Sequence, residues 1–232
     1  IEVRSLHDLY QLDLADMQSL SSENNGYKYI LGVINAFTKF AHIRLLKDKK
    51  CTSVIKVLDD ILNEINHPIK NLQSDLGGEF KCREFTEAMK KRNINHYFSY
   101  SVKKCAIIER FFRTLKNKLY MQMALKSSLR YIDFVDAVVN EYDSTVHSTT
   151  KMKPKDVKTK QHEKKLIKEV YNFKRTRVDC NLKEGDTVRI ARYPHVFQKF
   201  YFPTFSSALY KIDRVKNHKS CIHSTFSKLW NA

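Results

Sequence analysis

One helix constrains this chain more than any other feature. From about Cys105 to Lys126, Ile108, Phe111, Phe112, Leu115 and Leu119 fall on one face at about 100° per residue, while Glu109, Arg113, Lys116 and Tyr120 fall on another. One side must be core, and the other presents a carboxylate in line with cations. Upstream, the pattern changes period repeatedly. Tyr10 to Met17 begins as an apolar strand, and Tyr27–Ile34 and Phe40–Leu46 are β-rich runs joined by the short link 35–39, which predicts a hairpin. Val54, Leu58, Ile61, Leu62 and Ile65 then repeat at helical spacing before Pro68. Ile69 to Asp75 reads as a short buried strand broken by Gly77-Gly78, Phe85, Ala88 and Met89 mark a helix, and Ile94 to Phe98 another strand. After the long helix, Ile132, Phe134, Val135, Val138, Val139 and Tyr142 supply the apolar side of one more. Three strands followed by helix–strand–helix–strand define an α/β domain over residues 1–155.

Beyond Pro154 the composition shifts to Lys, Glu and Gln, which reads as a basic, partly helical linker over 156–174. Gly185-Asp186 then leads into Thr187–Ile190, and Leu209–Asp213 looks like a further strand. Short strands joined by turns predict a small all-β unit over 175–232.

Three acids stand where the local pattern reads as a strand end or a helix start. They are Asp13 in Tyr10-Gln11-Leu12-Asp13-Leu14, Asp75 in Gln73-Ser74-Asp75-Leu76-Gly77-Gly78-Glu79-Phe80, and Glu109 in Ile107-Ile108-Glu109-Arg110, with 33 residues between the last two. Carboxylates forced together repel unless a cation offsets them, and hard oxygen ligands suit Mg²⁺ or Mn²⁺. Two such ions roughly 3.5–4 Å apart can activate a nucleophile and stabilise a leaving oxygen in an in-line displacement. Each acid has an ordinary alternative: Asp13 as a turn cap, Asp75 as a turn start, Glu109 as a surface acid bonded to Arg113. Asp16 competes with Asp13, but in a regular strand it faces the other side.

The net charge of +17 points to a polyanionic partner, and nucleic acid is the simplest one. Lys103, Lys104, Arg110, Arg113 and Lys116 surround Glu109 as candidate DNA contacts. Arg175, Arg177, Arg189, Arg192 and Lys199 are candidates in the second unit, among aromatic residues. Lys118 reads as a solvated helix cation. No apolar run of membrane length appears, so no membrane partner is expected. The five cysteines lack any Cys-x-x-Cys, which predicts reduced thiols in a cytosolic or nuclear protein, and no His and Cys pairs stand at finger spacing, so no structural zinc is expected. Ile1-Glu2-Val3-Arg4 is neither an initiator nor a signal segment, so the chain reads as part of a longer protein that is not secreted.

These motifs resemble the D,D-(about 35)-E core of retroviral and transposon integrases, and most closely the integrases of Polinton (Maverick) DNA transposons. The matching pieces are Gln11-Leu12-Asp13-Leu14, Tyr29–Ile34, Ser74–Phe80 and Ile108–Lys116, with Tyr142-Asp143 through His147 to Pro154 behind them. Phe197-Gln198-Lys199-Phe200-Tyr201-Phe202-Pro203 resembles the motif of the family's C-terminal SH3-like (chromodomain-like) module. The resemblance implies a ribonuclease H-like mixed sheet flanked by helices, followed by a small SH3-like barrel. It implies a nuclear integrase in which Asp13, Asp75 and Glu109 hold two metal ions. Such an enzyme trims 3′ ends and joins them to target double-stranded DNA as a homo-oligomer. Three departures stand out: Asn35 where the family has Asp, Asp143 where it has Asn, and a short stretch between Val215 and Cys221. They leave a second reading, a catalytically inactive, host-adopted DNA- or chromatin-binding protein on the same fold.

Overall fold

The computed structural model describes residues 3, 5–65, 67–99, 105–171, 183–190, 205–218 and 221–228. The chain divides into two compact units, Ile1–Phe173 and Lys174–Ala232.

The first unit is built on strands β1 (Leu9–Asp16), β2 (Tyr29–Asn35), β3 (Ala41–Leu46), β4 (Asn71–Ser74) and β5 (Asn95–Phe98), in the order β3-β2-β1-β4-β5. β1–β2 and β2–β3 pair antiparallel, as the hairpin pattern predicts, while β1–β4 and β4–β5 pair parallel. The parallel pairs need crossovers, and these are α1 (Cys51–Glu64) before β4 and α2 (Gly78–Lys81) with α3 (Arg83–Lys91) before β5. Then come α4 (Ala106–Leu125), α5 (Val135–Ser144) and α6 (Lys160–Glu169).

Helices cover both faces of the sheet, which is why every residue of β2 is buried rather than alternate ones. On one face Leu12, Leu31, Val33 and Leu72 pack with Leu58 and Ile61 of α1 and Phe85 and Met89 of α3. On the other, Ala15, Ile30, Ile34 and Ile43 pack with Ile108, Phe111, Phe112, Leu115 and Leu119 of α4 and with α5. The apolar face read from the α4 sequence is therefore the buried one. Gly32 fixes how closely α4 lies on β2, because a Cβ there would stand 2.7 Å from Phe112 Cζ. Gly32→Ala displaces the Phe112 ring, so it should cost about 1–3 kcal/mol in a urea titration.

Residues 156–171, expected as a linker, are packed. Val157 and Leu166 join Leu6, Leu9, Ala36 and Phe37 in a third cluster, and the Tyr171 hydroxyl donates to the Phe37 carbonyl at 2.6 Å. Few large apolar residues suffice here because each meets an apolar partner outside the segment.

The expectation of reduced thiols needs correction. Cys51, at the start of α1, is joined to Cys82 at the α2–α3 junction, with Cα atoms 6.5 Å apart. The crossover topology brings the two together, and no local spacing marks the pair. Cys105, by contrast, is buried against the α4 face of the sheet.

The two family departures in this unit serve the β2–β3 hairpin. Asn35 Oδ1 accepts from the Phe37 and Thr38 amides while its Nδ2 donates to the Leu6 carbonyl, and Asp143 Oδ1 accepts from the Ala41 amide.

In the second unit, β6 (Thr187–Val188), β7 (Tyr210–His218) and β8 (Cys221–Lys228) form an antiparallel sheet in that order. β8 was not anticipated from the sequence. The SH3-like motif at 197–203 lies outside the described residues.

Candidate catalytic centre

The sheet register places the first two acids side by side. Gln11 of β1 is the parallel partner of Gln73 of β4, so Asp13 and Asp75, each two residues further on, leave the two strands at the same level. With period 2, Gln11, Asp13 and Ala15 share one face of β1, and Ala15 belongs to the cluster under α4. Asp16 has the opposite parity and is exposed, where it accepts from the Gln18 amide and side chain, each at 2.9 Å.

The third acid arrives through a buried amide pair. Gln11 Nε2 donates to Gln73 Oε1 at 2.8 Å, and Gln11 Oε1 accepts from the Ile107 and Ile108 amides at 3.0 Å each. Two of the unpaired N–H groups that open any helix are thereby satisfied by the strand that carries Asp13. One glutamine thus ties β1 to β4 and to α4, just before each acid-bearing position. Gln11→Met leaves both amides without this partner, and the loss at the buried Ile108 amide costs about 1–3 kcal/mol. Faster hydrogen exchange at Ile107 and Ile108 than at Leu119 should accompany it.

The acids sense one another. Burial pushes Asp13 up to about 7, the negative fields of Asp75, Glu109 and Glu79 push the same way, and the Leu14 amide, donating to its Oδ1 at 2.8 Å, opposes them. Asp75 Oδ1 accepts from the Gly77 amide at 2.9 Å. Glu109 is exposed in the first turn of α4, where the helix dipole favours an acid. Glu79, not singled out as a site residue from the sequence, is a fourth carboxylate. A Cβ on Gly77 would lie 2.9 Å from the Glu79 carboxyl carbon and 3.0 Å from Asp75 Oδ1, so both side chains cross the space that this glycine leaves empty. Its signal lay in the Gly-Gly-Glu-Phe tail of the Asp75 motif.

No three of these acids lie all within 4.8 Å of one another; among the described residues only Cys51, Cys82 and Glu84 do, and there the two sulfurs are bonded together. The donors around the half-buried Asp13 are oxygens only, a chemistry that suits a hard divalent cation.

Of the basic residues, Arg110 and Arg113 are exposed on α4. Lys116 Nζ donates to the Asp16 carbonyl at 2.9 Å, and Lys118 is paired with Glu141 at 2.5 Å. Arg189 is exposed after β6. Lys103, Lys104, Arg175, Arg177, Arg192 and Lys199 lie outside the described residues.

No known family profile matches the chain. It is 30% identical over 194 residues to an uncharacterized transposon-derived protein of Caenorhabditis elegans, covering 84% of this chain and 65% of that protein. It is also 30% identical over 133 residues to the Pro-Pol polyprotein of feline foamy virus, covering 56% of this chain and 11% of the polyprotein. The chain thus spans less than two thirds of either relative. Among solved structures, the HTLV-2 integrase catalytic core in complex with magnesium, in its trimeric form, matches with a TM-score of 0.54 at 14% identity, over 65% of this chain and 95% of that one. The BIV integrase catalytic core matches with a TM-score of 0.51 at 14% identity, over 66% and 93%. The first unit therefore has the ribonuclease H-like fold of retroviral integrase catalytic cores.

Proposed function

We propose that the chain is the catalytic core and C-terminal DNA-binding unit of a transposon integrase of the Polinton type, which trims 3′ ends and joins them to target DNA. The observation that carries this reading is the convergence of Asp13, Asp75 and Glu109 from β1, the end of β4 and α4 on an integrase-core fold, linked by Gln11 and Gln73. Asp13, Asp75 and Glu109 would hold Mg²⁺ or Mn²⁺, as the magnesium complex of the HTLV-2 core suggests. When bound, such an ion lowers the pKa of an attacking water or 3′ hydroxyl and offsets charge on the leaving oxygen. The rest falls to the chain itself. Burial of Asp13 keeps water from screening its charge, the Gln11 amide fixes the start of α4, and exposed Arg110 and Arg113 bind phosphates beside Glu109 without reading bases.

The test is strand transfer with element-end oligonucleotides in Mg²⁺ or Mn²⁺. Joined product, absent in chelator, supports the integrase. Tight DNA binding with no cleavage or joining under any metal leaves the host-adopted binding protein instead.

Two element ends must be joined in one event, so self-association on DNA belongs to this proposal, as does action on chromosomal DNA in the nucleus. The HTLV-2 core has been solved in dimeric and trimeric forms. No helix among the described residues is long and apolar enough to cross a membrane.

Affinity for duplex DNA should fall steeply with salt and depend little on sequence, since a net charge of +17 binds largely by releasing counterions. Filter binding across a salt series measures the slope, and a flat series overturns the expectation. Deleting residues 174–232, a compact unit by itself, should weaken binding while the first unit stays folded.

A further inference from the structure

Along the side of α4 that carries Arg110 lies a hollow of about 540 Å³, lined by none of the four acids. Its lining includes Lys39, Arg110, Thr114, Tyr142, His147 and Ser148, together with the first residues of α4, and it contains no aspartate or glutamate.

Lys39 is the unusual member. It is 6% exposed, sits at the end of the hairpin link with φ 69°, and its Nζ donates to the Ala36 carbonyl and lies 5.5 Å from the Tyr171 ring centre. Burial alone lowers it to about 8, with no acid nearby to raise it. A buried ammonium normally has a carboxylate partner; here one carbonyl and one ring face serve three N–H donors. His147 adds a directed donor. Its Nδ1 accepts from the Thr149 amide at 3.1 Å, so the neutral ring carries its proton on Nε2. Burial holds it near 4, and the positive fields of Lys39 and Arg110 act in the same direction. The third cation of the lining, Lys118, is already paired with Glu141. The opening turn of α4 contributes the positive end of a 20-residue helix.

We propose that this hollow is a binding site for a phosphate group, held by Lys39, Arg110 and the Nε2–H of His147. The site deepens the DNA reading through Arg110, yet it does not require the acids to be catalytic. Its volume admits a phosphate together with an attached nucleoside, so the group can come from a DNA strand or from a small phosphate in solution. Either source replaces the missing counter-charge of Lys39.

Titration of the full chain with inorganic phosphate, followed by NMR of the Arg110 side-chain Nε–H and the His147 ring, tests this. Saturable shifts at both are expected. Arg110→Ala and Lys39→Met should each weaken binding roughly tenfold or more, as loss of a charge-assisted hydrogen bond does. Arg110 is exposed on the helix, so its variant should fold even if Lys39→Met does not. Lys165→Met, exposed on α6, should leave binding unchanged, and so should Asp13→Asn, which separates this site from the catalytic reading. A 5′-phosphorylated oligonucleotide that displaces inorganic phosphate identifies a DNA strand as the source; phosphate binding without displacement identifies a small phosphate. Shifts that never saturate, or that survive Arg110→Ala unchanged, overturn the proposal.

Discussion

On the proposed integrase reading, Asp13→Asn, Asp75→Asn and Glu109→Gln should each remove metal-dependent cleavage and joining, by on the order of 10³-fold or more, while DNA affinity should stay within a factor of a few. Each substitution keeps volume and removes one ionised oxygen ligand, so the loss falls on stabilisation of charge in the transition state, worth several kcal/mol. DNA affinity should be retained because counterion release would depend on the 42 Lys and Arg residues rather than on these acids. Asp16→Asn is the matched control. Its carboxylate only closes a local turn on Gln18, so activity should be nearly unchanged at a cost of about 1 kcal/mol or less in stability. Single-turnover assays of the four variants decide the matter. An essential Asp16 beside a dispensable Asp13 would sink the assignment.

The second large effect is a gain. In chelator, Asp13→Asn should be more stable than the wild type at neutral pH. The folded protein raises the Asp13 carboxyl from 3.8 to about 7, so between those values the native state holds a proton that the unfolded chain has lost. Stability therefore falls as pH rises through that window, and the asparagine variant escapes the fall. The difference between the two proteins should be near zero below pH 4 and reach on the order of 4 kcal/mol above pH 7, at about 1.4 kcal/mol per unit. The comparison must be a difference, because other groups slope the wild-type profile. Asp143 is likewise pushed up to about 7 by burial, whereas burial lowers His96 and His147 to about 4, which favours folding as pH rises. Urea denaturation at pH 5 and pH 8 measures it. Added Mn²⁺ should stabilise the wild type far more than the variant, by binding the native state alone.

How much of this was legible in the sequence depends on the range of the signal. The α4 face was readable because its contacts repeat with the helix, and the parity of Asp13 against Asp16 because side chains alternate along a strand. The Asp75 turn was marked by its glycines. Side-chain pairings between remote segments were not readable. Gln11 and Gln73 look like two unremarkable polar residues until parallel pairing sets them side by side, and Cys51 meets Cys82 only across the crossover. Val157 and Leu166 looked too sparse to anchor a segment, because their partners Leu6, Leu9 and Phe37 lie far upstream. Glu79 was visible within its motif, but only the turn at Gly77 folds its carboxylate back over Asp75.

The parallel pairing of β1 with β4 also bears on how the protein is made. A ribosome releases Asp13 long before its neighbour in the sheet, and Glu109 later still. A nascent chain ending ahead of Ala106 holds two of the three acids, yet nothing covers Gly32, and Gln11 has no helix start to cap. The strands on that side keep their apolar face in water until Phe112 and Leu115 emerge. Non-local pairings of this kind form late. An unfinished chain therefore exposes a sticky sheet, so its hazard during synthesis is aggregation.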